Sequence, residues 1–182
     1  AIKLYSPGPA LFIQERVGYD RATGRIRHFK LYKFRSMRVG ADPGAHHQHM
    51  RNLILNNTGL AGPGGSLKMA GDHRITGVGR LLRRTSLDEL PQLINILLGD
   101  MTLVGPRPAL PYEVECYQEW HRRRLQATPG LTGLWQVDGR CRVNFDEGVR
   151  MDIYYVEHMS FLLDLRILLL TPWAVISGKG AG

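Results

Sequence analysis

RRTSLDELPQLINILLGDMTLVGPRP, Arg83–Pro108, is the stretch of this 182-residue chain that says most about its fold. Two adjacent carboxylates, Asp88 and Glu89, stand near its start, and an apolar segment with helical spacing follows them. The spacing predicts a helix over roughly residues 87–99 that turns one apolar stripe to the core. The stripe comprises Leu90, Leu93, Ile94, Leu97 and Leu98.

The beginning of this helix fits two registers. Ser86 and Glu89 match the S-x-x-E capping box, in which the two side chains satisfy the first free N–H groups. Pro91 fits that register poorly, because a proline so deep in a helix removes a hydrogen bond. If Asp88 is the N-cap instead, Pro91 falls in the first turn, where no N–H is needed. Both registers place the two carboxylates at the positive end of the helix.

An acid pair in this position has two interpretations. Carboxylates at a helix start often do no more than complement the helix dipole. The same carboxylates, with arginines before them and a Gly-Pro-Arg-Pro turn after the helix, also suit phosphoryl chemistry. For an isolated pair the first interpretation is the commoner one, and the surrounding motifs reverse that preference.

Five motifs provide this wider context, in a fixed order along the chain: KFRSM (Lys33–Met37), RRTSLDELPQLINILLGDM (Arg83–Met101), LVGPRP (Leu103–Pro108), PGLTGLWQV (Pro129–Val137) and YYVEHMSFLLDLRILLLT (Tyr154–Thr171). Together they closely resemble the bacterial sugar transferases, which are monotopic phosphoglycosyl transferases. The resemblance covers nearly the whole chain. It implies that a hexose-1-phosphate passes from a UDP-sugar to undecaprenyl (polyprenyl) phosphate with release of UMP, at the start of exopolysaccharide, capsule or O-antigen synthesis.

By their position in these motifs, Asp88 and Glu89 match the catalytic pair of the family. The resemblance implies that Asp88 is the nucleophile and forms an aspartyl-phosphosugar intermediate. Glu89 then either helps to hold the Mg²⁺ that the family requires or takes a proton from the acceptor phosphate. As metal ligands, Asp88 and Glu89 would share the ion with phosphate oxygens, because a hard cation prefers oxygen donors.

Arginines supply the first predicted substrate contacts. Arg107 lies between Pro106 and Pro108 and matches a phosphate-binding arginine of the family. The two prolines restrict its backbone, which suits a guanidinium that must be aimed in advance. Of the neighbours Arg83 and Arg84, which point in different directions, family position favours Arg83.

The KFRSM motif adds two more candidates. Phe29–Met37 alternates apolar and charged residues and is therefore predicted to be a strand, with Lys33 and Arg35 on one face. That face is either an exposed hairpin surface or, as the resemblance implies, a surface that contacts nucleotide or phosphate.

A Gly- and Pro-rich segment, Pro129–Arg140, is predicted to be a loop that follows a helix. The resemblance places it close to the active site. Gln136 and Arg140 are candidates for sugar or uracil recognition. Trp135 either stacks on a base or sugar or packs the loop.

Composition is consistent with one domain and limits the partners. The net charge of +8 fits an anionic membrane surface or phosphate-rich substrates. Nucleic acid is the weaker candidate, because no helix-turn-helix, zinc-finger or RNA-binding signature is present. The basic run His121–Arg124 is predicted to be a solvated helix face. His46, His47 and His49 are expected in a solvated loop, with a metal site as the alternative.

The longest apolar run is Phe161–Ile176. Asp164 and Arg166 interrupt it, Pro172 is expected to break it, and it is short of the roughly 20 residues that span a bilayer. It fits an interfacial helix with Trp173 at headgroup depth, or else an ordinary core helix. Family members carry an N-terminal segment that dips into the membrane, and we expect Ala1 to lie at about the point where that segment ends. Without a signal peptide, the expected location is the cytoplasmic face of the bacterial inner membrane.

The fold class that follows is α+β: a helix-rich single domain over residues 1–182, not Rossmann-like. An antiparallel hairpin is expected over roughly residues 11–36, with helices near 45–56, 87–99, 112–126 and 146–176. Three alternatives to the transferase remain: a non-catalytic basic membrane-binding scaffold, a nucleic-acid-binding module, and a nucleotide-sugar phosphotransferase or hydrolase without a lipid acceptor. The motifs leave open which sugar is transferred and whether the chain forms a homo-oligomer.

Overall fold

A long antiparallel hairpin dominates the N-terminal part of the molecule. The structure is a computed structural model that describes residues 1–42, 44–56, 72–138 and 143–176. After a short helix α1 (Ile2–Tyr5), β1 (Leu11–Asp20) pairs residue for residue with β2 (Arg25–Phe34). The hairpin and its limits confirm the prediction.

Helices make up most of the remaining described chain: α2 (Gly44–Asn56), α3 (Gly77–Arg84), α4 (Gln92–Leu97), α5 (Pro111–Glu115), α6 (Leu134–Asp138), α7 (Phe145–Glu157) and α8 (Phe161–Ile176). Two 3₁₀ segments, Leu87–Glu89 and Glu119–Gln126, stand between them. In the described ranges, no helix is long and apolar enough to cross a membrane. The mixture of hairpin and helices confirms the α+β class, whereas the extent of the single domain stays a prediction.

Two segments differ from the predicted elements. The helix expected over Tyr112–Gln126 is divided into α5 and a 3₁₀ segment, because the chain turns at Cys116–Gln118. The predicted loop after Pro129 forms a strand and a helix. This strand, β4 (Gly130–Thr132), pairs in parallel with β3 (Thr102–Val104), which brings two of the sequence motifs side by side.

The predicted active-site helix is shorter than expected, and its apolar face points to solvent and not to the core. Neither register is correct: Leu87–Glu89 is a separate 3₁₀ turn and Pro91 is the N-cap of α4, while the Ser86 side chain makes no capping hydrogen bond. The stripe expected in the core is exposed, and Leu97 retains 87% of its accessible surface. The buried face of α4 carries Gln92 and Asn95 instead.

Asn95 explains this orientation. Its side-chain oxygen accepts from the Tyr32 N–H at 3.0 Å, and its amide group donates to the Lys30 carbonyl at 2.7 Å. The side chain thus satisfies the free backbone edge of β2, which a leucine at that position could not do. The polar face of α4 is therefore held against the hairpin, and its apolar face is left outside.

Glycines allow the backbones of the two motifs to touch. A Cβ on Gly130 would lie 2.1 Å from the Gly105 nitrogen, and a Cβ on Gly133 would lie 2.4 Å from the Gly105 oxygen. Backbone hydrogen bonds of 2.9 Å, from Gly105 to Thr132 and from Gly130 to Pro106, hold the contact together. The Gly-Pro-Arg-Pro turn is therefore fixed in place by the segment that follows Pro129.

The main core joins the hairpin to the C-terminal half. Val17 forms an isolated bridge with Ala109 and packs with Leu125, Phe145 and Val149. This core anchors the Gly-Pro-Arg-Pro turn from the other side, since Ala109 directly follows it.

The apolar helix α8 is not an ordinary core helix. Only Ile167 and Ala174 are buried among its described side chains, and Trp173 is 73% exposed. Pro172 lies inside the helix and does not break it, contrary to the prediction. A large exposed apolar surface of this kind is typical of an interaction site.

Candidate active site

The acid pair lies in a tight turn between α3 and α4. Ser86, with φ of 55°, is the one non-glycine residue with positive φ in the described ranges, and it bends the chain just before Asp88. Asp88 is 7% exposed, and Glu89 is half-buried beside it. The turn thus presents two carboxylates from a constrained backbone.

A close helix contact fixes the approach to this turn. Thr76 caps α3 by accepting from the Gly79 N–H at 2.9 Å. A Cβ at Gly79 would lie 1.9 Å from the Ser36 carbonyl oxygen. The helix that carries Arg83 is therefore seated directly on the KFRSM backbone.

Lys33 reaches the acid pair. Its Nζ lies 3.0 Å from Glu89 Oε1 in a partly buried ion pair. The end of β2 thus places one cation beside the acid pair, and a contact of Lys33 with nucleotide or phosphate stays a prediction.

The two neighbouring arginines at the end of α3 have different environments. Arg83 is half-buried and donates from Nε to Ser36 Oγ at 2.9 Å. Burial lowers the pKa of Arg83, although the negative charge of Asp88 opposes that effect. Arg84 is exposed. Arg83 is therefore in electrostatic range of the acid pair.

Arg35 is directed away from the acid pair. It follows the last residue of β2, and its guanidinium donates to the Pro9 carbonyl and to the Ser6 side chain and carbonyl, each at 2.6 Å. The expected common face with Lys33 is not observed, because the strand ends at Phe34. The contacts of Arg35 hold the N-terminal segment against the hairpin.

Arg107 belongs to a largely buried cluster of charges. Its guanidinium lies 3.3 Å from a carboxylate oxygen of Glu113, which is fully buried. Arg16 donates to the Pro108 carbonyl at 2.8 Å, and Arg124 donates to the Arg107 carbonyl at 3.4 Å. Arg124 also forms a buried ion pair with Asp152.

Arginines outnumber carboxylates among the residues that form this cluster. Three guanidiniums, of Arg16, Arg107 and Arg124, share two carboxylates, of Glu113 and Asp152. Burial and the nearby Arg107 lower the pKa of Arg16 to about 10. Arg107 is the one guanidinium of the three with substantial exposure, 24% of its side chain. Arg107 is therefore the arginine of this cluster that a ligand in solvent can reach most easily.

Sequence reasoning missed most of this cluster, although a signal was present. Glu113 and Asp152 fall on the buried faces of α5 and α7 by helical spacing. A carboxylate in a core register implies a buried cation. Arg124 is that cation for Asp152, so the prediction of a solvated His121–Arg124 face is wrong for Arg124 and for the buried His121.

The remaining candidates lie after β4. Gln136 is half-buried in α6 and contacts the Leu131 carbonyl at 3.5 Å. Trp135 lines a small cavity with Arg107 and Arg124. The structure thus brings Trp135 beside the predicted phosphate-binding arginine, whereas Arg140 lies outside the described residues.

The histidines of the predicted loop belong to α2 instead. His46 Nδ1 lies 2.6 Å from the Tyr112 hydroxyl, and the His47 ring is tilted against the Tyr112 ring. Burial, followed by the charge of Arg107, lowers the pKa of His46 to about 4. Across the described ranges, no three His, Cys, Asp or Glu residues form a group that could hold a metal ion. The neutral ring of His46 instead packs beside the arginine cluster.

Asp88 and Glu89 supply only part of the set of ligands that a Mg²⁺ ion takes. Two adjacent carboxylates supply the oxygen donors that Mg²⁺ prefers, and this ion commonly uses one or two carboxylates together with substrate phosphates and water. The described residues therefore suit a magnesium ion that binds with a phosphate-bearing ligand and not one held in a protein cage.

Comparison with known proteins shows the family. The model of the bacterial sugar transferase family matches residues 1–178, and the chain belongs to that family. Galactosyl transferase CpsE of Streptococcus agalactiae is 46% identical over 177 residues, which are 96% of this chain and 36% of the relative. The undecaprenyl-phosphate galactose phosphotransferase of Salmonella typhimurium is 43% identical, over 96% of this chain and 35% of the relative.

A third relative is the UDP-glucose:undecaprenyl-phosphate glucose-1-phosphate transferase of Caulobacter vibrioides. It is 41% identical over all of this chain and 62% of its own length. The chain thus spans little more than a third of the first two relatives and under two thirds of the third.

Proposed function

We propose that this chain transfers a hexose-1-phosphate from a UDP-sugar to a polyprenyl phosphate, with undecaprenyl phosphate as the acceptor, and releases UMP. The observation that carries the proposal is the turn that holds Asp88 and Glu89 next to Lys33 and Arg83. The names of the three relatives support the same class of reaction. The reaction would be the first membrane step of exopolysaccharide, capsule or O-antigen synthesis.

In the first step, a carboxylate oxygen of Asp88 attacks the β-phosphorus of the donor. A new oxygen–phosphorus bond forms as the bond between that phosphorus and the bridging oxygen breaks, and UMP leaves with the bonding electron pair. In the second step, an oxygen of the acceptor phosphate attacks the same phosphorus and displaces Asp88. The products are a polyprenyl diphosphate sugar and the original carboxylate.

Cationic side chains assist both steps. Lys33 and Arg83 would stabilise negative charge that develops on the transferred phosphate, and Arg107 would hold a further phosphate oxygen of the donor. Glu89, positioned by Lys33, would either take the proton of the acceptor phosphate or help Asp88 to bind Mg²⁺. When bound, Mg²⁺ would neutralise charge on the diphosphate.

We further propose that the protein works at a membrane surface. Leu87 and Leu90, which flank the acid pair in the sequence, are exposed and continue into the exposed apolar face of α4. Helix α8 provides a second exposed apolar surface. Helix α8 packs on β3 and β4, and β3 follows α4 by a short turn. Such surfaces, together with the positive net charge, suit an interface with anionic lipids.

The test of the reaction is UMP release from a panel of UDP-sugars by the membrane-reconstituted protein, with Mg²⁺ and undecaprenyl phosphate. We expect lipid-dependent release with one sugar and a phosphosugar adduct detectable by mass spectrometry when the acceptor is omitted. Asp88→Asn should abolish the adduct and lower turnover at least about a thousandfold, because an amide is a very poor nucleophile.

Three results would contradict all or part of the proposal. No turnover with any donor, from folded and membrane-bound protein, would favour the non-catalytic scaffold. UMP release that does not depend on the lipid would indicate a hydrolase or another phosphotransferase. Full activity in Asp88→Asn would remove Asp88 as the nucleophile and leave the overall reaction in place.

A further inference from the structure

The side chain that holds Arg107 in place is Glu113. It is 0% exposed, and one of its carboxylate oxygens accepts from the Leu110 N–H at 2.9 Å. Both oxygens face Arg107, at 3.3 and 3.4 Å from the same guanidinium nitrogen. Glu113 therefore joins the start of α5 to the Gly-Pro-Arg-Pro turn.

The backbone around Arg107 is held independently of this contact. Arg16 binds the Pro108 carbonyl, and Arg124 binds the carbonyl of Arg107 itself. The close backbone contact at Gly105 fixes the other end of the turn. Since the backbone is secured by other groups, the Glu113 carboxylate acts mainly on the direction of the Arg107 side chain.

The Glu113 carboxylate is important because Arg16 and Arg107 would otherwise repel each other. Arg16 and Arg107 are close enough for Arg107 to disfavour the charged form of Arg16, and Glu113 attracts both. Burial alone would favour a neutral Glu113, but the two arginines and the Leu110 N–H lower its pKa below the usual value. Without the negative charge, two guanidiniums would face each other in a poorly solvated space.

We propose that Glu113 is a positioning residue that aims the Arg107 guanidinium at the donor diphosphate. The inference rests on the proposed function, because it assigns Arg107 to that phosphate. Glu113 does not contact the reacting atoms. It acts by restricting Arg107 to one direction before the substrate arrives, so that little ordering is needed on binding.

The first test compares Glu113→Gln with Glu115→Gln in donor-dependent UMP release. Glu115 lies on the same helix and is exposed, so its variant removes the same charge without touching Arg107. We expect Glu113→Gln to lower kcat/KM for the UDP-sugar between about ten- and a hundredfold, mainly through a higher KM. Glu115→Gln should behave as wild type.

A double-mutant cycle separates positioning from a purely structural role. If Glu113 acts through Arg107, the double variant Arg107→Ala/Glu113→Gln should be no less active than Arg107→Ala alone. Losses that multiply in the double variant would overturn the proposal. If wild type shows no turnover, or Arg107→Ala has wild-type activity, the fault lies in the proposed function and not in Glu113.

A conservative variant distinguishes loss of positioning from misfolding. Gln keeps the length of Glu and still accepts from the Leu110 N–H, whereas Glu113→Asp keeps the charge but is one methylene shorter. Positioning by charge predicts higher kcat/KM in Glu113→Asp than in Glu113→Gln. A role confined to capping α5 predicts the reverse order, and melting temperatures of both variants would show which of them fold.

Discussion

At the scale of single residues, this protein places charged groups where burial changes their behaviour. Asp88, Glu113 and Asp152 are buried carboxylates, and each is in range of at least one arginine. The sequence motifs singled out Asp88 but placed it at the start of a helix, whereas it lies in a separate 3₁₀ turn before α4. They gave no sign of Arg16, because Arg16 acts through a contact far apart in sequence, the hydrogen bond to the Pro108 carbonyl.

His46 makes the stability of the fold depend on pH. Its pKa in the folded protein is about 4, mainly because of burial, against about 6.5 in an unfolded chain. Between these values the unfolded chain binds one proton more than the folded one. The contribution of His46 is therefore fully present above pH 6.5 and is lost as the pH falls towards 4.

We expect the free energy of unfolding of wild type to fall by about 1–2 kcal/mol more than that of His46→Gln over this range, after allowance for solvent screening of a half-buried ring. Urea denaturation of both proteins at four pH values from 7.5 to about 4.5 measures the difference. Parallel pH dependences in the two proteins would contradict the assignment.

At the scale of elements, α4 shows where pattern reasoning succeeds and where it fails. The helical period of the apolar residues was read correctly for Gln92–Leu97. The period indicates which side of a helix avoids water, but it does not say what covers that side. The decisive residue was Asn95, whose two hydrogen bonds to the edge of β2 require a polar face inward.

Replacement of Asn95 tests this account of α4. Asn95→Leu adds an apolar side chain at a fully buried site but leaves the Tyr32 N–H and the Lys30 carbonyl without their partner. We expect it to lower the free energy of unfolding by about 2–4 kcal/mol, since two buried backbone groups lose their hydrogen bonds. Thermal and urea denaturation provide the measurement.

Asn95→Asp is a useful comparison, because it keeps the acceptor and loses the donor. Its cost should come from the Lys30 carbonyl, from the lost hydrogen bond to Asp100 and from the buried charge. A stable Asn95→Leu protein would mean that an apolar helix face is acceptable against the hairpin, contrary to the argument above.

At the scale of the whole molecule, exposed apolar surfaces are combined with a net charge of +8. The sequence predicted an apolar C-terminal helix and a basic protein, and both are present. It did not predict a second apolar surface on α4, because the same residues also fit a core. Single exposed apolar residues are common, whereas a whole exposed helix face is not.

Membrane binding should depend on these surfaces and not on apolar exposure in general. We expect Leu97→Gln combined with Trp173→Ala to reduce binding to anionic liposomes at least about tenfold, with little change in melting temperature, because both side chains are already exposed. Liposome cosedimentation is the measurement.

Ile26→Gln is the matched control, since Ile26 is an exposed apolar residue near the hairpin turn. It should bind liposomes as wild type does. Equal losses in the control and in the double variant would show that binding is not localised, and unchanged binding in both would exclude α4 and α8 as the lipid surface.

The contact among Gly105, Gly130 and Gly133 has a consequence for how this site can change. Most packed contacts tolerate substitution, because a larger side chain on one side can be matched by a smaller one on the other. Here the atoms on both sides of the contact belong to the backbone, so there is no side chain that could become smaller. Neither turn can therefore be altered at these glycines without a matching change in the other. A change in what the site binds would therefore have to come from residues around this contact and not from the three glycines themselves.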